Sequence, residues 1–189
     1  MSTPFFKPEN KDRKNPQAFT LIELLVVIAI IAILASLLIP AINTALNSAK
    51  KTTAKNLAVG ISTAINTYES EYGRLPSNGT SSNFTPTLVN MLCTSNDAVN
   101  NPRGIIFLEA TAWKPGKGGT NSSGYCDPFS SNSTYFIAMD TSYNNTLTSM
   151  PGQSSSGGTI TFTNVLNKEV GVWTVWTNGG KTYLIDSWD

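Results

Sequence analysis

The chain has 189 residues, a net charge of +1, only 13% charged residues and no histidine. That length builds one soluble domain of ordinary size, and near-neutral charge gives no general polyanion footprint, so no nucleic-acid partner is expected. The absence of histidine excludes Ser-His-Asp and Cys-His catalysis and removes the commonest transition-metal ligand.

The first eighteen residues are hydrophilic and basic, with Lys7, Lys11, Arg13 and Lys14 set against Glu9 and Asp12. An apolar run of 21 residues follows, from 19 to 39, whose single ionisable side chain is Glu23. At about 1.5 Å per residue this run spans the roughly 30 Å hydrocarbon core of a bilayer. The basic leader is expected to stay cytoplasmic, which places everything beyond residue 39 on the other side. A secretory signal has a shorter apolar core of about 7–15 residues. A plain membrane anchor fits the length and leaves Glu23 unexplained. A carboxylate there costs about 2.5–3.5 kcal/mol near the bilayer centre and less toward the interface. A positive charge on a neighbouring chain would offset that cost.

Helical spacing continues past Pro40, which removes a backbone donor and is expected to kink the helix. Leu46, Ala49, Thr53, Leu57, Ile61, Ala64, Tyr68 and Tyr72 recur at steps of three or four and read as the buried face. Lys50, Lys51 and Lys55 read as a solvated face rather than a nucleic-acid patch. Gly73 with Leu75-Pro76 is a stop signal. One helix of about 54 residues, roughly 80 Å long, is expected.

Ala18-Phe19-Thr20-Leu21-Ile22-Glu23, the apolar stretch behind it and Pro40 resemble the class III signal of type IV pilins and type II secretion pseudopilins. The resemblance is strong over residues 13–45 and returns at Tyr72-Gly-Arg-Leu-Pro76. It implies cleavage by a prepilin peptidase between Ala18 and Phe19, N-methylation of Phe19, and an assembly role for Glu23, paired with the terminal amine of an adjacent subunit. The family usually has Gly where this chain has Ala18. The implied partners are the peptidase, like subunits in a filament, and an inner-membrane assembly platform with its ATPase. The implied location is a single pass through the inner membrane, then a periplasmic or cell-surface filament. The implied fold is pilin-like α+β, a long helix packed on a small antiparallel sheet.

Residues 77–133 read as a connection, with a short helix at 87–92, a strand or helical turn at 104–108 and turn chemistry at 114–119. Strands are expected at 134–139, 159–163, 171–177 and 181–185, the last two joined by Asn178-Gly179-Gly180. The chain thus divides into a leader (1–18), a membrane or filament-core segment (19–39), the amphipathic second half of the helix with its exit (40–76), the connection (77–133) and a sheet region (134–189). The triplets Asn78-Gly-Thr80 and Asn132-Ser-Thr134 are read as compositional, not as glycosylation sites.

Cys93 and Cys126 are the only cysteines. An oxidising compartment would favour a disulfide between them over two free buried thiols. Glu109, Asp127, Asp140 and Asp186 are the carboxylates an active site would need, and no enzyme activity is expected. No cofactor is expected either, save what a weaker resemblance implies. Cys126-Asp-Pro-Phe129, and Val175-Trp-Thr-Asn-Gly179 with Leu184-Ile-Asp-Ser-Trp188, are similar to C-terminal segments of major pseudopilins. Their last loop often holds calcium, for which Asp140, Asn178 and Asp186 are the candidates. Trp173, Trp176 and Trp188 are candidates for sugar stacking, but strand alternation sets Trp173 and Trp176 on opposite faces.

Overall fold

A computed structural model describes residues 19–76, 82–153 and 160–188. The leader, the triplet at 78–80 and residue 159 lie outside the described residues. The chain divides into two units, Met1–Asn43 and Thr44–Asp189.

Helix α1 (Leu21–Tyr72) is continuous through Pro40 and contributes to both units. In the first unit its apolar side chains are exposed, Leu21, Ile31, Leu37 and Ile42 among them. It is long and apolar enough to cross a membrane. The helix ends where the spacing predicts: Gly73, at φ +64°, donates its amide to the Glu69 carbonyl at 2.7 Å.

The second unit is built in layers on the remainder of α1. In chain order its elements are β1 (Ser82–Asn83), α2 (Pro86–Cys93), β2 (Gly119–Asn121), β3 (Gly124–Cys126), β4 (Phe136–Met139), β5 (Leu147–Gln153), β6 (Ile160–Leu166), β7 (Val170–Asn178) and β8 (Lys181–Asp186). A four-stranded antiparallel sheet runs β1-β4-β7-β8, and β2–β3 and β5–β6 form two separate ribbons. The α+β class expected from the sequence is the class observed.

Alternation along β4 and β7 explains the layering. Tyr135, Ile137, Met139, Val170 and Val172 join Ala58, Ile61, Ile65 and Tyr68 of α1 in the main core. Ala138 and Trp173 point the other way and pack with Leu147 and Met150 of the β5–β6 ribbon. Gly171 makes that second contact possible. A Cβ placed on it would lie 2.6 Å from Met150 Cε, 3.2 Å from Trp188 Cζ3 and 3.3 Å from Leu147 Cδ1.

The turn between β7 and β8 is Gly179-Gly180, closed by the Asn178–Lys181 pair. Both glycines have positive φ, +58° and +75°, as a two-residue hairpin turn of the primed kind requires.

Two expectations are corrected here, and one strand is added. The buried face of α1 is Ala54, Ala58, Ile61, Ala64, Ile65 and Tyr68, while Leu46 is exposed and Thr53 and Leu57 are only half-buried. Ala54 and Ala58 let the sheet approach closely, and the Tyr135 hydroxyl reaches the Ala54 carbonyl at 3.0 Å. Strand β5 is an element the sequence reading did not include; it carries Pro151-Gly152, and register shifts before Pro151 accommodate them. Cys93 and Cys126 are free thiols, not a disulfide. The Cys126 sulfur is directed at Ser131 O (3.2 Å) and Asn121 Oδ1 (3.4 Å) instead.

The connection is held by polar contacts. Buried Asn101 donates to the carbonyls of Met91, Thr94 and Ile105, and its Oδ1 accepts from Tyr72 Oη at 2.6 Å. Residues 104–108 form neither strand nor helix; the amides of Phe107 and Leu108 both reach Leu92 O at 2.9 Å. Arg103 pairs with Glu71 of α1.

Candidate functional site at the head of the long helix

The first turn of α1 is closed by its own side chains. Glu23 Oε2 accepts from the Thr20 amide at 2.8 Å and from the Thr20 hydroxyl at 2.7 Å, while Thr20 Oγ1 faces the Glu23 amide at 3.3 Å. This is a reciprocal capping box, with Thr20 at the N-cap and Glu23 three residues inside. The Thr-x-x-Glu spacing was available in the sequence as a helix-start signal. The carboxylate also sits at the positive end of the helix dipole, where a negative charge is favoured. Both side-chain bonds fall on Oε2, and Oε1 has no hydrogen-bond partner among the described residues. Phe19 is 76% exposed immediately before this turn, and Ala18 lies outside the described residues. The head of the helix thus presents an exposed residue at the expected cut and a carboxylate with one oxygen directed to no partner among the described residues.

The calcium candidates do not come together. Met139 pairs with Val170 at one end of β7, which places Asp140 there. Asn178 lies eight residues further along that strand, roughly 26 Å away at about 3.3 Å per residue. Asp186 faces Trp173, between the two. The Asp140 carboxylate is turned into its own loop, accepting from the amides of Ser142 (2.9 Å) and Thr146 (3.4 Å). Burial pulls this carboxyl upward, and the loop amides of Ser142, Asn145, Asn144 and Thr146 together hold it below the usual carboxylate range. Among the described residues no three of His, Cys, Asp and Glu converge as metal ligands would.

Asp127 is fully buried and structural in its contacts. It accepts from the amides of Phe129 and Ser130 and, at 2.6 Å, from the Thr174 hydroxyl in the middle of β7. Trp113 donates its indole N–H to the Asp127 carbonyl at 2.8 Å. No local pattern announces this cluster, since its members lie far apart in the chain.

The tryptophans divide as alternation requires. Trp173 is buried against Phe136 and Trp188. Trp176 stacks between Phe129 (centroids 4.7 Å) and Tyr183 (5.3 Å) on the opposite face. The Lys51 ammonium sits 3.5 Å from the Tyr183 ring centroid and 5.1 Å from that of Trp176. Three tryptophans therefore build no single platform, and Lys51 is a cation–π partner, not a solvated side chain.

Residues 13–39 match the family described as prokaryotic N-terminal methylation motif. Comparison with curated proteins and with solved structures finds no match. The matched segment holds Phe19, the Thr20–Glu23 capping box and the apolar run, at the head of a helix that continues into an α+β unit. The chain carries the prepilin-type signal of type IV pilin and pseudopilin precursors, and with it the expectation of processing by a prepilin peptidase and of membrane anchoring.

Proposed function

We propose that this chain is a structural subunit of a type II secretion pseudopilus or a type IV pilus-like filament, and that it works by assembly rather than catalysis. The observation that carries the reading is Glu23: one carboxylate in an apolar run of 21 residues, inside a matched methylation motif. Hydrolysis of the Ala18–Phe19 bond releases the leader and leaves a new amine on Phe19, which is then methylated. The amine of one subunit and the Glu23 carboxylate of the next attract each other strongly in an apolar surrounding. That pairing sets the register of subunits as they leave the lipid. Residues 24–39 exchange lipid contacts for like helices, a step driven by packing and electrostatics because lipid is already apolar. The domain lies on the extracytoplasmic side.

The second reading is a membrane-tethered extracytoplasmic binding module that never polymerises. Side-chain cross-linking of processed wild-type chain and of Glu23→Gln in membranes separates the two. A filament subunit gives a ladder of multimers in the wild type and monomer in the variant, with cleavage intact in both. Monomer in the wild type, with the assembly machinery present, contradicts the filament reading.

A further inference from the structure

Near-neutral overall charge conceals a segregation in the second unit. Lys50, Lys51 and Lys55 are the first charged residues after Glu23 in the sequence. The turn carrying Lys114 and Lys117 lies on the same stretch of α1: a Cβ built on Gly116 would meet Lys50 Cε at 3.9 Å, and one on Gly118 would meet Leu57 Cδ1. That turn is fixed by its own backbone, Lys114 N to Gly118 O at 3.1 Å and Lys117 N to Lys114 O at 3.1 Å. Lys51 rests on Trp176 and Tyr183, and Lys181, two residues before Tyr183, stands at the tip of the same hairpin. Six lysines are thereby gathered at one end of the unit. Among the described residues, Asp186 lines a groove with Lys51 and Lys55. Asp127 is buried and bound to Thr174. Lys50, Lys114 and Lys117 have no ion-pair partner among the described residues, and Lys114 and Lys117 are exposed.

We infer that this lysine end is a docking surface for anionic phospholipid headgroups on the extracytoplasmic face of the membrane that α1 enters. The inference rests on the membrane-anchored reading of α1 and goes beyond it by assigning a lipid partner to the soluble unit. Lysines beside an apolar segment attract anionic headgroups over a distance set by ionic screening. Here the lysines come from three separate chain segments held on rigid elements, helix, tight turn and hairpin. The surface holds the unit against the membrane before assembly, and its release accompanies extraction of the subunit from lipid.

The test uses the full chain, one copy per nanodisc, in phosphatidylcholine alone or mixed with phosphatidylglycerol, read by amide hydrogen exchange. Co-elution with both nanodiscs checks membrane insertion independently. The expected result is exchange slowed about threefold or more over residues 50–57 and 113–118 in the anionic discs, reversed by high salt. Residues 87–105 remain unchanged. The triple substitution Lys50→Gln, Lys114→Gln and Lys117→Gln is expected to abolish the difference. Equal exchange in the two lipids, with insertion intact, overturns the inference. So does protection that appears only when two copies share a disc, regardless of lipid, which would assign the surface to a second copy of the chain.

Discussion

The Thr174 hydroxyl donates to the carboxylate of Asp127 at 2.6 Å, and neither residue is exposed to solvent. The bond joins the long connection to the central strand of the sheet, 47 residues away. Removing the hydroxyl leaves a buried side-chain oxygen of Asp127 without this donor, at a cost of about 1–3 kcal/mol. Thr174→Val keeps the shape and is expected to lower the melting temperature of the purified chain, while Thr174→Ser is expected to restore most of it. Equal melting of Val variant and wild type would show that the bond contributes nothing net.

Gly171 sets the distance between sheet and ribbon. In Gly171→Ala the first atom met is the end of a flexible methionine, 2.6 Å away, so Met150 turns aside and the loss is small. Gly171→Val brings two further methyl groups against Trp188 and Leu147, and overpacking of this kind costs about 1–3 kcal/mol. Thermal melting of the two variants is expected to rank them wild type, Ala, Val, with a clear step at Val.

Cys93 is a half-buried thiol packed against the main core, and that burial pushes it up to about 12. Four pH units below that value only about one molecule in ten thousand carries the reactive thiolate. Alkylation of the folded chain near pH 8 is therefore expected to leave Cys93 unmodified, and denaturant to expose both thiols. Rising pH should increase Cys93 labelling only as it approaches the raised value. Rapid labelling of native Cys93 at neutral pH would contradict its packing against the core.

The capping box at the head of α1 predicts a local effect. Thr20→Ala removes the hydroxyl that binds Glu23 and a cap interaction of about 1 kcal/mol. Faster amide exchange is expected in the first turn only, with the helix beyond it unchanged. Serine at the same position keeps the hydroxyl and should restore protection.

What the sequence made legible was periodic or local. The long helix, its exit at Gly73, the Asn178–Lys181 hairpin and the apolar run with Glu23 all rest on spacing within a few residues. The phase of the buried helix face shifted because Ala54 and Ala58, unremarkable in hydropathy, are what allow the sheet to approach. Strand β5 was hidden by Pro151-Gly152, which a register shift absorbs. The Trp113–Asp127–Thr174 cluster, the hub at Asn101 and the lysine end join distant segments, so no window of sequence contains them. The capping box was missed although its Thr-x-x-Glu signal stands before the apolar run, because there Glu23 reads only as a charge in a membrane segment.

The central claim, that a prepilin signal prepares this chain for assembly, is tested most directly by intact mass and N-terminal sequencing after expression with a prepilin peptidase. The predicted result is a chain of 171 residues beginning at N-methylated Phe19, short of the precursor by residues 1–18. A chain that still begins at Met1 beside an active peptidase would contradict the account and leave the tethered module in its place.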